Sequence, residues 1–260
     1  MGDEDDALAW AAIRELHRRG GNEEFEAARS LLASPAAKER GRGVDILAQL
    51  NSPKWTLHER ERNASAVLAA LAGESDPAVI SSMGVALGHL DDPRAVGAML
   101  PYKDHADANV RLSVVMALSP HPDPLSLQTL VELSSDPDEE VRNWATFSLG
   151  TQLEAVDTPE LREALVARLQ ETNPEIRGEA LVGLALRKDP RVLEPLKREL
   201  SGSSVIILAV EAAEVLGDPS LLPLLVQLRD APGEADAYFQ GVLQDAIAAL
   251  ERQQPHNPRR

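Results

Sequence analysis

The sequence contains no cysteine and few aromatic residues, which make up 3% of its 260 positions. The lack of cysteine excludes disulfide bonds, zinc–thiolate sites and cysteine nucleophiles. No apolar run approaches the roughly 18 residues that a membrane-spanning helix needs. The alternation of apolar and polar residues that is typical of strands is also missing. We therefore expect an all-α protein with no membrane partner.

Basic residues are also scarce, with 26 Lys and Arg against 42 Asp and Glu, which gives a formal net charge of −16. Between residues 131 and 250 there are 22 acidic and 10 basic side chains. Nucleic-acid affinity comes mainly from neutralising phosphates with Lys and Arg, so we expect no nucleic-acid partner. The charge would instead attract a basic protein. The alternative, that it only keeps a helical surface soluble, stays open.

What the sequence does contain is a repeat. Apolar anchor residues recur every 31 residues at Val79, Val110 and Val141, and further copies centre on Ile176 and Leu208. Positions four and eight after an anchor are also apolar, which is the spacing of a buried helical stripe. Because one such unit cannot bury its apolar face alone, repeats of this length predict an α-solenoid of stacked helix pairs.

Helix-start signals divide the chain into about seven helix pairs. First helices are expected after an Asp or Thr that precedes Pro, because the side-chain oxygen caps free N–H groups and Pro suits the first turn. Second helices are expected to begin near five positions: Ala106, Asp138, Asn173, Ser203 and Gly233. We predict a capping helix in residues 1–22, a single elongated array in residues 23–252 and a disordered tail in residues 253–260. The predicted fold is a right-handed α-α superhelix.

The repeated pattern Asp-x-x-Val-Arg-x-x-Ala-x-x-x-Leu-Gly resembles the compact bacterial HEAT repeat, the type also found in phycobilin lyase subunits. Residues 136–226 more specifically resemble a family of small bacterial HEAT-repeat proteins. Some members of that family are encoded beside Rhs-type polymorphic toxins and are suspected to be immunity proteins. The resemblance implies a binding function rather than catalysis.

An arginine follows the anchor in three repeats, at Arg111, Arg142 and Arg177. Arginine suits forked pairing with carboxylates. We interpret these residues as a structural ladder paired with acidic residues such as Asp107 and Asp138. The alternative is a basic row along a groove.

Positions three and six after the anchor are expected to face the concave side of the superhelix. In the later repeats, this row contains two aromatic residues and three carboxylates: Trp144, Phe147, Glu179, Glu211 and Glu214. An aromatic anchor flanked by carboxylates is typical of a binding site for Arg or Lys side chains. Packing between neighbouring helices is the other interpretation of this row.

No motif predicts catalysis, a cofactor or a metal ion. His89, His105 and His121 lie near predicted helix ends, but none forms the i, i+4 pair of a helical metal site. We predict a non-catalytic, monomeric scaffold that binds a basic protein, and more sharply an immunity or adaptor protein. The acidic Met1–Asp6 segment is unlike a secretory signal, so we expect a cytoplasmic location.

Two alternatives come from other functional classes. A phycobilin lyase-like subunit is disfavoured because the chain lacks a cysteine for the tetrapyrrole and has few aromatic residues to enclose it. A HEAT-like DNA-binding protein related to alkyl-purine glycosylases is disfavoured by the sign of the charge.

Overall fold

A computed structural model describes residues 4–51, 54–202, 204–230 and 237–253. All regular secondary structure in these ranges is helical, which confirms the predicted all-α fold. None of the helices within the described ranges combines the length and apolar character that crossing a membrane requires.

The chain divides into two compact units, Met1–Trp144 and Ala145–Arg260. The first unit begins with α1 (Glu4–Arg19). Helix pairs follow along the chain: α2 (Asn22–Leu32) with α3 (Ala37–Gln49), α4 (Leu57–Leu71) with α5 (Pro77–Leu90), α6 (Arg94–Met99) with α7 (Ala108–Leu118), and α8 (Pro124–Leu133) with α9 (Glu139–Phe147). A short 3-10 turn, Leu100–Tyr102, follows α6.

The second unit begins within α9, at Ala145, and contains three further pairs. They are α10 (Pro159–Arg168) with α11 (Pro174–Leu186), α12 (Leu193–Leu200) with α13 (Ile207–Leu216), and α14 (Leu222–Asp230) with α15 (Ala237–Gln253). A π-helical turn, Ser148–Gln152, precedes α10, and 3-10 turns at Pro190–Val192 and Pro219–Leu221 lead into α12 and α14. The described residues thus form the seven helix pairs that the sequence predicts.

The predicted capping signals explain where several helices begin. Asp123 Oδ1 accepts hydrogen bonds from the backbone N–H groups of Leu125 and Ser126, at 3.0 and 3.2 Å, ahead of α8. Thr158 caps α10 in a similar way by accepting from the Leu161 N–H. These acceptors satisfy N–H groups that have no partner within the helix.

Some boundaries differ from the prediction. Helix α4 begins at Leu57, directly after Thr56, which forms a capping box with Glu59. The predicted starts at Ser203 and Gly233 lie outside the described residues, and α13 and α15 begin at Ile207 and Ala237. Of the predicted tail, Gln253 ends α15 and residues 254–260 lie outside the described part of the chain. The predicted single array and its limits stay predictions.

The apolar stripes of the second helices lie in the core. On α11, the anchor Ile176 and the residues four and eight positions later, Ala180 and Leu184, are fully buried. On α7, Val110, Val114 and Leu118 follow the same spacing and are also fully buried. Each unit is therefore built on the helical stripe that the repeat encodes.

Candidate protein-binding site

The ladder arginines act as clamps between successive repeats. Arg111 Nε and Nη2 each lie 2.7 Å from an oxygen of Asp136, which belongs to the turn before α9. Its Nη1 donates to the carbonyls of His105 and Ala106, just before its own helix. One guanidinium therefore fixes the turn before α7 and ties it to the carboxylate of the next repeat.

The same arrangement recurs at Arg177, which pairs with Glu199 at 3.0 Å and donates to the carbonyls of Glu171 and Thr172. Arg142 likewise donates to two carbonyls just before its helix. Arg40, which the sequence analysis missed, pairs with Glu74 and donates to the carbonyls of Ser34 and Pro35. The sequence feature that could have identified Arg40 is its position four residues after the N-cap of its helix. Arg111 and Arg177 occupy the same position in their helices.

The predicted partners Asp107 and Asp138 have a different role. Asp107 Oδ1 accepts from the Asn109 N–H at 2.8 Å, and Asp138 Oδ1 accepts from the Glu140 N–H at 3.0 Å. Both carboxylates thus cap their own helices, and the pairing with Arg111 falls to Asp136. The ladder holds neighbouring repeats together.

The structure places the five residues of the predicted row on second helices. Trp144 lies on α9 in the first unit and is 37% exposed. The other four residues belong to the second unit, and all four are half-buried: Phe147 at the end of α9, Glu179 on α11, and Glu211 and Glu214 on α13.

We call Glu179, Glu211 and Glu214 the carboxylate row, and the pKa values of two of its members, Glu179 and Glu211, are raised. Burial, together with repulsion from Glu211 and Glu175, raises the pKa of Glu179, although a hydrogen bond from Thr151 opposes this rise. Burial and repulsion from Glu214 raise the pKa of Glu211. Within the described part of the chain, no Lys or Arg forms an ion pair with any of the three.

A second feature of this region is a buried arginine that the sequence analysis did not single out. Arg187 follows α11 and is 7% exposed. Each of its five N–H groups donates to a backbone carbonyl at 2.8 to 2.9 Å. The acceptors are the carbonyls of Leu149, Gly150, Leu153, Val156 and Gly183. The only sequence signal is an arginine directly after the last apolar position of a second helix.

Two glycines let the π-helical turn approach α11 closely. A methyl group on Gly183 would lie 2.6 Å from Gly150 Cα, and one on Gly150 would lie 2.9 Å from the Glu179 carbonyl oxygen. Both distances are shorter than van der Waals contact, so the two backbones can meet only where side chains are absent.

One of the predicted histidines, His105, lies just before α7. His105 Nδ1 accepts from the Asp107 N–H at 3.0 Å. Throughout the described ranges, no three His, Asp or Glu side chains are placed to hold a metal ion together.

Stacked pairs of short helices with a repeated arginine clamp define an α-solenoid repeat protein. The sequence profile of HEAT repeats matches residues 64–150 and 132–217, which is more than half of the chain. The chain therefore belongs to the HEAT-repeat family, as its sequence resemblance implies.

Among individual proteins, the chain is similar to protein YibA of Escherichia coli K12, with 41% identity over 117 residues. This match covers 45% of the chain and 41% of YibA, so it spans less than half of the relative's length. The X-ray structure of E. coli YibA superimposes with a TM-score of 0.72 at 27% identity, over 92% of this chain and 85% of that one.

The complex of CpcE and CpcF of phycocyanin lyase from Nostoc sp. PCC7120 shares the fold. It superimposes with a TM-score of 0.54 at 17% identity, over 89% of this chain and 96% of that one. At this identity, the likeness concerns the fold alone.

Proposed function

We propose that the protein is a non-catalytic scaffold that binds a basic protein partner through the carboxylate row of its second unit. The observation that carries this proposal is that Glu179 and Glu211 are half-buried carboxylates with no Lys or Arg ion-pair partner among the described residues. A guanidinium or ammonium group of a partner would supply the missing opposite charge.

The energetic reason is that desolvated like charges are unfavourable in the free protein. Burial removes part of the hydration of Glu179 and Glu211 and disfavours their charged forms, and the charge of Glu211 adds repulsion at Glu179. A cation placed beside Glu179 and Glu211 reverses both effects, because it forms charge-assisted hydrogen bonds and cancels the repulsion. The net charge of −16 would speed the encounter with a basic partner.

The sharper form of the proposal is an immunity or adaptor protein. A toxin that acts on nucleic acid needs a positive substrate site, and an acidic protein is suited to cover such a site. The resemblance of residues 136–226 to HEAT-repeat proteins encoded beside Rhs-type toxins supports this form. We also propose a cytoplasmic location and a monomeric state.

The test is capture of the partner from native host lysate by the immobilised protein, with two variants as probes. Glu179→Lys and Glu211→Lys each place a positive charge within the carboxylate row. Asp245→Lys, at an exposed position of α15, makes the same charge change elsewhere on the second unit and serves as the matched control.

We expect one basic protein to be captured by the wild type and by Asp245→Lys but lost with both row variants. Its binding should weaken as NaCl rises from about 50 to about 500 mM, because salt screens exposed charges. Equal capture by all four proteins would refute a role for the row. Trp144→Ala tests separately whether the exposed aromatic residue of the first unit contributes.

A further inference from the structure

We infer that Arg187 is a positioning residue for the carboxylate row. It holds the π-helical turn Ser148–Gln152 in place, and this turn supplies the Thr151 hydroxyl that orients Glu179. The inference deepens the proposed function and rests on it, because it assigns a purpose to an arginine that makes no contact with the partner.

The π-helical turn differs from an α-helix in its hydrogen bonding. The Leu153 N–H donates to the Ser148 carbonyl, five residues back, at 2.9 Å. In an α-helix, the same N–H would donate to the Leu149 carbonyl. The π-helical spacing therefore takes the usual helical donor away from Leu149, and a buried carbonyl without a donor is costly.

Arg187 supplies hydrogen-bond donors to this turn. Its Nη2 donates to the carbonyls of Leu149 and Leu153, both at 2.8 Å, and its Nη1 donates to that of Gly150 at 2.9 Å. Burial lowers the pKa of Arg187, because removing the guanidinium from water disfavours its charged form. The five hydrogen bonds offset that cost.

Only arginine can fill this position. A guanidinium offers five N–H donors in a rigid plane, whereas a lysine ammonium offers three on a flexible stem. With lysine at position 187, at least two of the five carbonyls would lose their donor.

The π-helical turn also contacts the carboxylate row. Thr151, inside the turn, donates its hydroxyl to Glu179 Oε2 at 3.1 Å. Gly150, one residue earlier, packs against the Glu179 backbone. The turn thus fixes both the main chain and the side chain of Glu179, whose charged form repels that of Glu211. The Thr151 hydroxyl donates to the charged form of Glu179, so loss of this hydrogen bond would disfavour that form.

The experiment measures the pKa of Glu179 in the full-length protein by carboxyl NMR, which needs no partner. Thr151→Val removes the hydroxyl and keeps the shape, so we expect an upward shift of the Glu179 pKa. Thr172→Val, at an exposed position of the same unit, is the matched control and should leave that pKa unchanged.

Arg187→Lys should shift the Glu179 pKa in the same direction as Thr151→Val. In Arg187→Ala, guanidinium added at low millimolar concentration should occupy the ring of carbonyls and return the pKa toward the wild-type value. A residue with a merely structural role would lower the unfolding midpoint without this rescue. If Arg187→Ala does not fold, Thr151→Val and Arg187→Lys still test whether Arg187 positions Glu179.

An unchanged Glu179 pKa in Arg187→Lys would overturn the positioning role of Arg187, and an unchanged pKa in Thr151→Val would overturn the role of the hydroxyl. The proposed function fails by a different result, namely undiminished capture of the partner by Glu179→Lys. The two failures are therefore distinguishable, since one is measured in the free protein and the other in the complex.

Discussion

At the scale of single residues, arginine has two hydrogen-bonding roles in this fold. In the ladder, Arg40 and Arg111 each combine a forked pair to one carboxylate with bonds to two carbonyls of the preceding turn. Arg187 instead directs every donor to backbone carbonyls. Both arrangements use the planar five-donor geometry, so lysine is a poor substitute at either kind of position.

The first prediction concerns the pair between Arg40 and Glu74 and its dependence on pH. The forked hydrogen bonds from Arg40, at 2.7 and 2.9 Å, are the main cause that lowers the pKa of Glu74 to about 2. Because this folded-state pKa lies below the unfolded value, the ionised carboxylate stabilises the fold above about pH 4.5. That stabilisation is lost as the pH falls toward about 2.

We therefore expect Glu74→Gln to lower the free energy of unfolding by about 1 to 3 kcal/mol at pH 7. The difference from wild type should shrink below about pH 4.5. Urea denaturation at a series of pH values measures this difference in the free energy of unfolding. Glu194→Gln, whose carboxylate is 78% exposed and pairs with Lys197, is the control and should change stability by less than about 0.5 kcal/mol. A difference for Glu74→Gln that stays constant with pH would contradict the prediction.

At the scale of helices, the N-cap residues determine where the first helices begin. Asp123 accepts two backbone hydrogen bonds and one from the Ser126 hydroxyl. Asp123→Ala should cost about 1 kcal/mol of unfolding free energy, because the first turn of α8 loses its acceptor. Asp123→Asn keeps an acceptor oxygen and should cost clearly less. Equal losses for the two variants in thermal or urea unfolding would contradict the role of Asp123 as a cap.

Packing between helices gives the third prediction. A methyl group on Gly183 would lie 2.6 Å from Gly150 Cα and 2.9 Å from Leu165 Cδ1. Gly183→Ala should therefore destabilise the protein by about 1 to 3 kcal/mol through overpacking. Gly97 lies exposed on α6 with open space around it, so Gly97→Ala should stabilise by about 0.5 to 1 kcal/mol through helix propensity. Changes of the same sign would contradict the packing argument.

At the scale of the whole molecule, the repeat explains what could be predicted and what could not. The buried stripe Ile176, Ala180 and Leu184 follows from spacing within one helix, and short-range caps such as Asp123 are readable in the same way. Arg187 and the Leu149 carbonyl are 38 residues apart in sequence. No local pattern encodes that pairing.

Local patterns are limited in the same way for the arginine ladder and for the carboxylate row. The spacing locates Arg111, but its partner Asp136 lies 25 residues away, whereas the sequence predicts Asp107 or Asp138 as the partner. The row residues Glu179 and Glu211 were found because the repeat places equivalent positions on neighbouring helices. The effect of Glu211 on the charge of Glu179 depends on burial, which the pattern alone does not give.

The last prediction uses the distribution of tryptophan between the two compact units. All three tryptophans, Trp10, Trp55 and Trp144, belong to the first unit. Tryptophan fluorescence therefore reports on unfolding of that unit, whereas far-UV circular dichroism reports on the helices of both. In repeat proteins, stability is a sum of repeats and nearest-neighbour contacts, so a local defect acts mainly on its own neighbourhood.

We expect Gly183→Ala, in the second unit, to move the circular dichroism transition to lower urea while the fluorescence midpoint moves less. Glu74→Gln, in the first unit, should lower the fluorescence midpoint instead. Equal shifts of both probes in both variants would contradict this expectation, because they would mean that the two units unfold as one cooperative body. Opposite patterns in the two variants would establish that each unit is stabilised chiefly by the core that its own repeats bury.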